Sequence, residues 1–230
     1  MTGFEERQLA GSIDHTLLKA TATHDQITQL CREAKNYGFY SVCVNPRWTN
    51  SAAEELADSK IKVGSVVSFP LGADSTGIKA LQAGHLVDSG ADEIDMVADL
   101  AAIIQRDKQY LLDQFNAILE ICRSARPAVI LKVIIESAAL DRDEKIFACQ
   151  IIDKCGVDFI KTSTGLHPAG GATAEDIKLI KKVAPNCKIK AAGGIRTYSQ
   201  ALEMLTAGAE RIGTSSGLQI IKEFRAGQLQ

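Results

Sequence analysis

The chain has 230 residues, 46% of them apolar, 23% charged and 5% aromatic, with a formal net charge of −2. That is enough for one sizeable core, read as a single domain over residues 1–230. The near-neutral charge and the lack of a basic stripe with interleaved aromatics argue against nucleic-acid or membrane partners.

No run of about 18 apolar residues could span a bilayer. The opening "MTGFEERQLAGSIDHTLLK" lacks the positive-then-apolar layout of a secretory signal. Six scattered cysteines (Cys31, Cys43, Cys122, Cys149, Cys155 and Cys187) form no CxxC pair and read as free thiols in a reducing compartment. The expected location is the cytoplasm.

Eight short apolar segments follow in order: "SIDHTLL" (12–18), "FYSVCVN" (39–45), "IKVGSVVSF" (61–69), "ADEIDMV" (91–97), "AVILKVII" (128–135), "VDFIKTS" (157–163), "CKIKAAG" (187–193) and "AERIGTS" (209–215). The stretches between them, such as "DQITQLCREAKNYG" and "DRDEKIFACQIIDKCG", carry apolar residues three and four apart, as helices do. Gly38, Gly90, Gly156 and Gly208 read as helix stops. "TAED" at 173–176 reads as a capping box, and a last helix is expected from Gly217 to about Ala226. Eight strands alternating with helices in about 230 residues predict a (β/α)8 TIM barrel, with a doubly wound open sheet as the alternative. No GxGxxG or GxxxxGK[ST] follows the first strand, which removes the usual nucleotide-binding cues.

Chemistry in a barrel sits at the C-terminal ends of the strands. The polar residues there are Asp14 and Thr16 on strand 1, Cys43 on strand 2 and Asp95 on strand 4. Strands 5, 6 and 7 add Lys132, Lys161 and Lys190. Alternation groups Glu93 with Asp95, Ile130 with Lys132, and Phe159 with Lys161. A lone strand-end lysine is ordinarily solvated or structurally paired. Three on adjacent strands beside an aspartate suit more demanding chemistry. A lysine attacks a carbonyl only when neutral, and a neighbouring ammonium disfavours the charged form. A carboxylate can relay protons. The alternative is a barrel whose lysines only bind phosphate.

"AAGGIRT" (191–197) and "GTSSG" (213–217) follow strands 7 and 8 and lead into helices. Glycine-rich turns before helix N-termini favour anions, and these two loops are the common phosphate cradle of the fold. His15, His24, His85 and His167 show no metal-ligand spacing. His15 could reach the barrel mouth, and Cys43 reads as a small buried hydrophobe.

Together, "EIDMV", "LKVIIE", "DFIKTSTG", "IKAAGGIRT" and "IGTSSG" resemble the deoxyribose-phosphate aldolase family of class I aldolases, from residue 13 to about 217. The resemblance implies Lys161 as the Schiff-base lysine and Asp95 as the proton relay. Lys190 would tune the nucleophile, and Lys132 would contact Asp95 and the sugar. It implies phosphate contacts at Gly165, Gly193, Gly194, Arg196 and the "GTSS" residues, among them Gly213, Ser215 and Ser216. The implied partners are a sugar phosphate and aldehydes, with no metal, no organic cofactor and a homodimer as the assembly. Three features depart from the family pattern. Ala98 and Asp99 follow "EIDMV", adding a charge near the mouth. Leu166, His167 and Pro168 follow "KTSTG". The end "EFRAGQLQ" carries no tyrosine for a C-terminal proton relay, which implies lower turnover.

Overall fold

The computed structural model describes residues 5–228. The first four and last two residues of the expected 1–230 domain, including parts of the opening "MTGFEERQLAGSIDHTLLK" and of the "EFRAGQLQ" end, lie outside the described residues. Eight parallel strands close in sequence order: β1 (Ile13–Leu17), β2 (Ser41–Val44), β3 (Lys62–Val67), β4 (Glu93–Val97), β5 (Ile130–Ile134), β6 (Phe159–Lys161), β7 (Lys188–Ala192) and β8 (Arg211–Thr214). The pairing of Ile13 with Ile212 and of Asp14 with Gly213 joins β1 to β8, so the open-sheet alternative falls.

The helices are α1 (Glu6–Ala10), α2 (His24–Tyr37), α3 (Thr49–Leu56), α4 (Thr76–Asp88), α5 (Leu100–Ile104), α6 (Lys108–Ser124), α7 (Arg142–Cys155), α8 (Ala174–Val183), α9 (Tyr198–Ala207) and α10 (Gly217–Gly227). Their ends follow local chemistry. Thr23, Asp141 and Thr197 open α2, α7 and α9 with full capping boxes. Gly38, Gly156 and Gly208 close the same three helices in the left-handed region. The "TAED" box is only half formed. Thr173 caps α8 by accepting the Asp176 N–H, but the Asp176 carboxylate turns to Ser137 and Lys145. The short helices α1 and α5 were not expected. Asp99 opens α5 by accepting the Ala102 N–H at 2.9 Å, so its carboxylate serves as a helix cap.

Alternation sorts each strand into two faces. Ile94, Met96, Leu131, Val133, Ile160, Ile189 and Ala191 are buried in the apolar core that the helices cover. Each of these side chains larger than alanine stabilises the fold by roughly 1.5–3 kcal/mol. The opposite face carries Glu93, Asp95, Lys132, Phe159, Lys161, Lys190 and Arg211 into the lumen, all buried. The interior of this barrel is therefore ionic, and the hydrophobic core is the shell around it. β6 is shorter than expected because the chain leaves the sheet after Lys161. Thr162 still donates to the Lys190 carbonyl at 3.0 Å.

Candidate active site

Register sets the height of each lumen residue. Lys161 is level with Lys190, while Lys132 is level with Asp95 on one side and Phe159 on the other. Lys132 thus lies one layer deeper than Lys161, whose neighbour on β5 is Ile134.

Asp95 joins all three lysines. Its Oδ1 accepts from Lys132 at 2.9 Å, and its Oδ2 accepts from Lys161 at 2.8 Å and Lys190 at 2.7 Å. Lys190 also pairs with Asp14 at 2.6 Å, and Lys132 with Glu93 at 2.7 Å. Arg211 closes the floor, reaching Asp14 through Nε at 2.7 Å and Glu93 through a terminal nitrogen at 2.7 Å. Four basic side chains thus meet three carboxyl groups. Lys132, Lys190 and Arg211 each have two carboxylate partners, and Lys161 has one.

Ionisation follows from these contacts. Burial pushes Asp14 and Asp95 towards neutrality. The cations outweigh it, Lys190 and Arg211 at Asp14 and the three lysines at Asp95, and both carboxyls end below the ordinary aspartate range. Burial likewise favours the neutral form of Lys132 and Lys190, but Asp95 and Glu93 hold Lys132 above the usual lysine value, and Asp14 and Asp95 do the same for Lys190. Cys43 abuts the cluster, with Sγ 4.0 Å from Asp95 Oδ2, and burial raises its thiol pKa ahead of the Asp95 charge.

Above the cluster opens a cleft of about 260 Å³. Lys161 lines it together with Thr16, Gly165, Gly193, Gly194, Arg196, Gly213 and Ser215. Asp14 and Lys132, expected to touch substrate, are fully buried beneath the cleft and do not line its wall, while Lys132 makes its expected contact with Asp95. Ser216 is also off the wall and stands at the N-cap position of α10. His15, read as able to reach the barrel mouth, turns away from the lumen. Its Nε2 lies 2.8 Å from Glu33 of α2, and its ring packs against Phe39, outside the barrel.

Glycines let the parts approach. A Cβ on Gly213 would stand 2.9 Å from the Lys190 side chain, so this position needs its bare backbone. Gly193, at φ 89°, packs against Gly171, and a Cβ on it would lie 2.9 Å from the Gly171 Cα. Ala172 then donates to the carbonyls of Ala192 and Gly193 at 3.1 and 3.2 Å. The loops after β6 and β7 are thereby fastened together beside the cleft.

Sequence reasoning missed Arg211, Lys19 and Thr164. Arg211 shares a face with Gly213, so alternation along "ERIGTS" held the signal. Lys19 and Thr164 are cleft residues beyond the strand ends, where alternation no longer applies. Leu166 lines the cleft and is 60% exposed, which gives the departure after "KTSTG" a place at the binding surface.

Fold and site together define a barrel enzyme built around buried lysines at the C-terminal rim. The model of the DeoC/LacD family aldolases matches residues 9–223. Deoxyribose-phosphate aldolase of Carboxydothermus hydrogenoformans is 46% identical over 222 residues, covering 96% of this chain and 97% of that protein. The enzyme of the same name from Caldicellulosiruptor saccharolyticus is 48% identical, covering 95% and 99%. Among solved structures, the tetrameric deoxyribose phosphate aldolase of Aeropyrum pernix superposes with a TM-score of 0.89 at 29% identity, covering 96% and 93%. The aldolase QR15 superposes with a TM-score of 0.89 at 37% identity, covering 96% and 97%. The chain belongs to the DeoC/LacD aldolase family.

Proposed function

We propose that this protein cleaves 2-deoxy-D-ribose 5-phosphate reversibly to acetaldehyde and D-glyceraldehyde 3-phosphate, with Lys161 as the Schiff-base lysine. The observation that carries the assignment is that Lys161 alone joins the cluster to the cleft. It has a single carboxylate partner, and it lies on the cleft wall.

The Lys161 amine attacks C1 of the open-chain sugar. Loss of water from the carbinolamine gives an iminium, which withdraws electrons from the C2–C3 bond. A base removes the C3 hydroxyl proton, the C2–C3 bond breaks, and D-glyceraldehyde 3-phosphate leaves. The bonding pair becomes the enamine on Lys161. Protonation of the enamine carbon and hydrolysis release acetaldehyde and restore the amine.

Asp95 is a weak base in this setting, because the lysines around it, Lys132 first, favour its ionised form. Its part is to orient Lys161 and to pass a proton between the cluster and the reacting hydroxyl through an intervening water. Lys190 supplies a lasting positive charge beside the nucleophile. Lys132, Glu93, Asp14 and Arg211 hold this pair in place from below. The phosphate would lie against Gly165, Gly193, Gly194, Arg196, Gly213 and Ser215, with the N-terminus of α10 behind them. The same reading places the enzyme in the cytoplasm as a homodimer, and sedimentation would separate that assembly from a tetramer like that of the Aeropyrum pernix relative.

Borohydride reduction of enzyme with substrate, followed by peptide mapping, tests the assignment. The expected label is on Lys161. A label on Lys190 or Lys132 overturns it.

A further inference from the structure

Glu136 closes the motif "LKVIIE", and neither the lysine cluster nor the cleft wall uses it. It follows β5 with φ 49° and ψ 59°, in the left-handed region that side chains other than asparagine and aspartate rarely adopt. Such a conformation persists only where the surroundings hold it. Its side chain is buried and makes no ion pair among the described residues. A buried carboxylate without a cation is costly, so its hydrogen bonds must compensate.

All of those bonds go to one residue. The Glu136 carboxylate accepts the Thr164 hydroxyl at 2.5 Å and the Thr164 N–H at 3.2 Å from each oxygen. Because the carboxylate only accepts, the Thr164 hydroxyl must donate to it. The hydroxyl's free lone pair then accepts the Leu166 N–H at 3.1 Å. Backbone bonds run alongside: Ile135 donates to the Lys161 carbonyl at 3.1 Å, and Ser137 to the Thr162 carbonyl at 2.8 Å. Gly165 stands between the two residues so fixed, at φ 82°, in the cleft wall.

We propose that Glu136 is a positioning residue for the phosphate end of the substrate, fixing Thr164 and Leu166 so that Gly165 presents its backbone to the anion. The inference rests on the reading above that the phosphate lies against this loop. Glu136 itself does not touch substrate and lies off the cleft wall. A carboxylate suits this post better than an amide. It takes the amide and the hydroxyl of the same residue together, and it fixes the direction of the hydroxyl proton.

The test compares 2-deoxyribose 5-phosphate with unphosphorylated 2-deoxyribose in wild type, Glu136→Ala and Glu136→Gln. For Glu136→Ala, KM for the phosphorylated sugar should rise by about tenfold or more, the worth of a hydrogen bond to a charged group. The kcat should fall far less, and KM for 2-deoxyribose should hardly move. Glu136→Gln keeps one acceptor and should recover part of the loss. Should Glu136→Ala fail to fold, a rise in KM confined to the phosphorylated sugar in Glu136→Gln carries the same expectation. Equal losses on both sugars, or a loss in kcat alone, would overturn the proposal and leave the phosphate reading standing. If wild type itself shows no preference for the phosphorylated sugar, the phosphate reading fails first and the proposal with it.

Discussion

Lys190 and Lys79 are both sealed from solvent, one inside the barrel and the other between the barrel and α6, and their partners differ in kind. Lys190 meets two carboxylates, Asp14 and Asp95. Lys79, on α4, donates to the Val97 carbonyl at 2.9 Å and to Gln114 Oε1 at 3.0 Å, both neutral. Burial disfavours the ammonium in each. At Lys190 the carboxylates overturn that effect, and its pKa rises above the usual lysine value. At Lys79 burial prevails over the more distant Asp99 and Asp74, and the pKa falls to about 8. Exclusion of water therefore does not set the state of a buried lysine; the charge of what it touches does. The lumen is built to keep its supporting cation permanently charged.

The largest test of this contrast removes the charge the lysines share. Asp95→Asn should lower kcat by roughly 10²–10⁴, the range for loss of a positioned proton-transfer group. It should also destabilise the fold by about 3–5 kcal/mol, because buried cations lose a partner. Steady-state rates and urea unfolding read the two effects. A variant within tenfold of wild type would remove Asp95 from the chemistry.

Lys190→Leu comes next. The variant takes away the positive charge that favours a neutral amine beside it. Its rate should drop about 10²-fold near pH 7, because a lysine attacks a carbonyl only in its neutral form. The deficit should shrink as pH rises, and trapping by borohydride should recover in parallel. A loss uniform across pH with normal trapping at pH 7 would mean that Lys190 acts through a contact to substrate.

Asp14 gives a smaller effect, seen in stability. Its folded carboxyl lies below its ordinary value of 3.8, so the unfolded chain takes up the proton first as the solution is acidified. The stabilisation is present above about pH 4–5 and is lost as pH falls through the folded value. Asp14→Asn should be destabilised near neutrality and should show a flatter loss between about pH 4 and 2. Urea midpoints across that range measure it. Parallel curves for the two proteins would show that Asp14 is not held ionised by Lys190 and Arg211.

The barrel was legible because each strand announces itself twice, by alternation within it and by a helical pattern after it. The meeting of Lys161, Lys190 and Asp95 was legible for the same reason, since period-two geometry assigns a face. What alternation cannot give is height. Lys132 reads like its two neighbours, yet the stagger of the barrel drops it a layer, level with Phe159 and out of the cleft. Loop residues such as Thr164 and Glu136 have no periodicity to betray them, and their pairing spans 28 positions of chain. Asp99 read as a charge at the mouth, because the five-residue helix it caps was too short to leave a pattern.

Lys79→Met sharpens the contrast with the smallest expected effect. A folded pKa of about 8 lies below the ordinary 10.5, so between these values the unfolded chain binds more protons than the folded one. Stability must then rise with pH across that window, by at most about 1.4 kcal/mol per pH unit for one proton. Methionine keeps most of the stem's packing and cannot titrate. It leaves the Val97 carbonyl and Gln114 Oε1 without their donor, a fixed cost that does not depend on pH. The difference in stability between wild type and variant should therefore be smallest near pH 7 and widen towards pH 10. Urea midpoints at pH 7, 8.5 and 9.5 on both proteins isolate this one group, since the exposed lysines are common to both. If the difference stays constant, Lys79 keeps its proton against neutral partners alone, and the distinction drawn between the two buried lysines is lost.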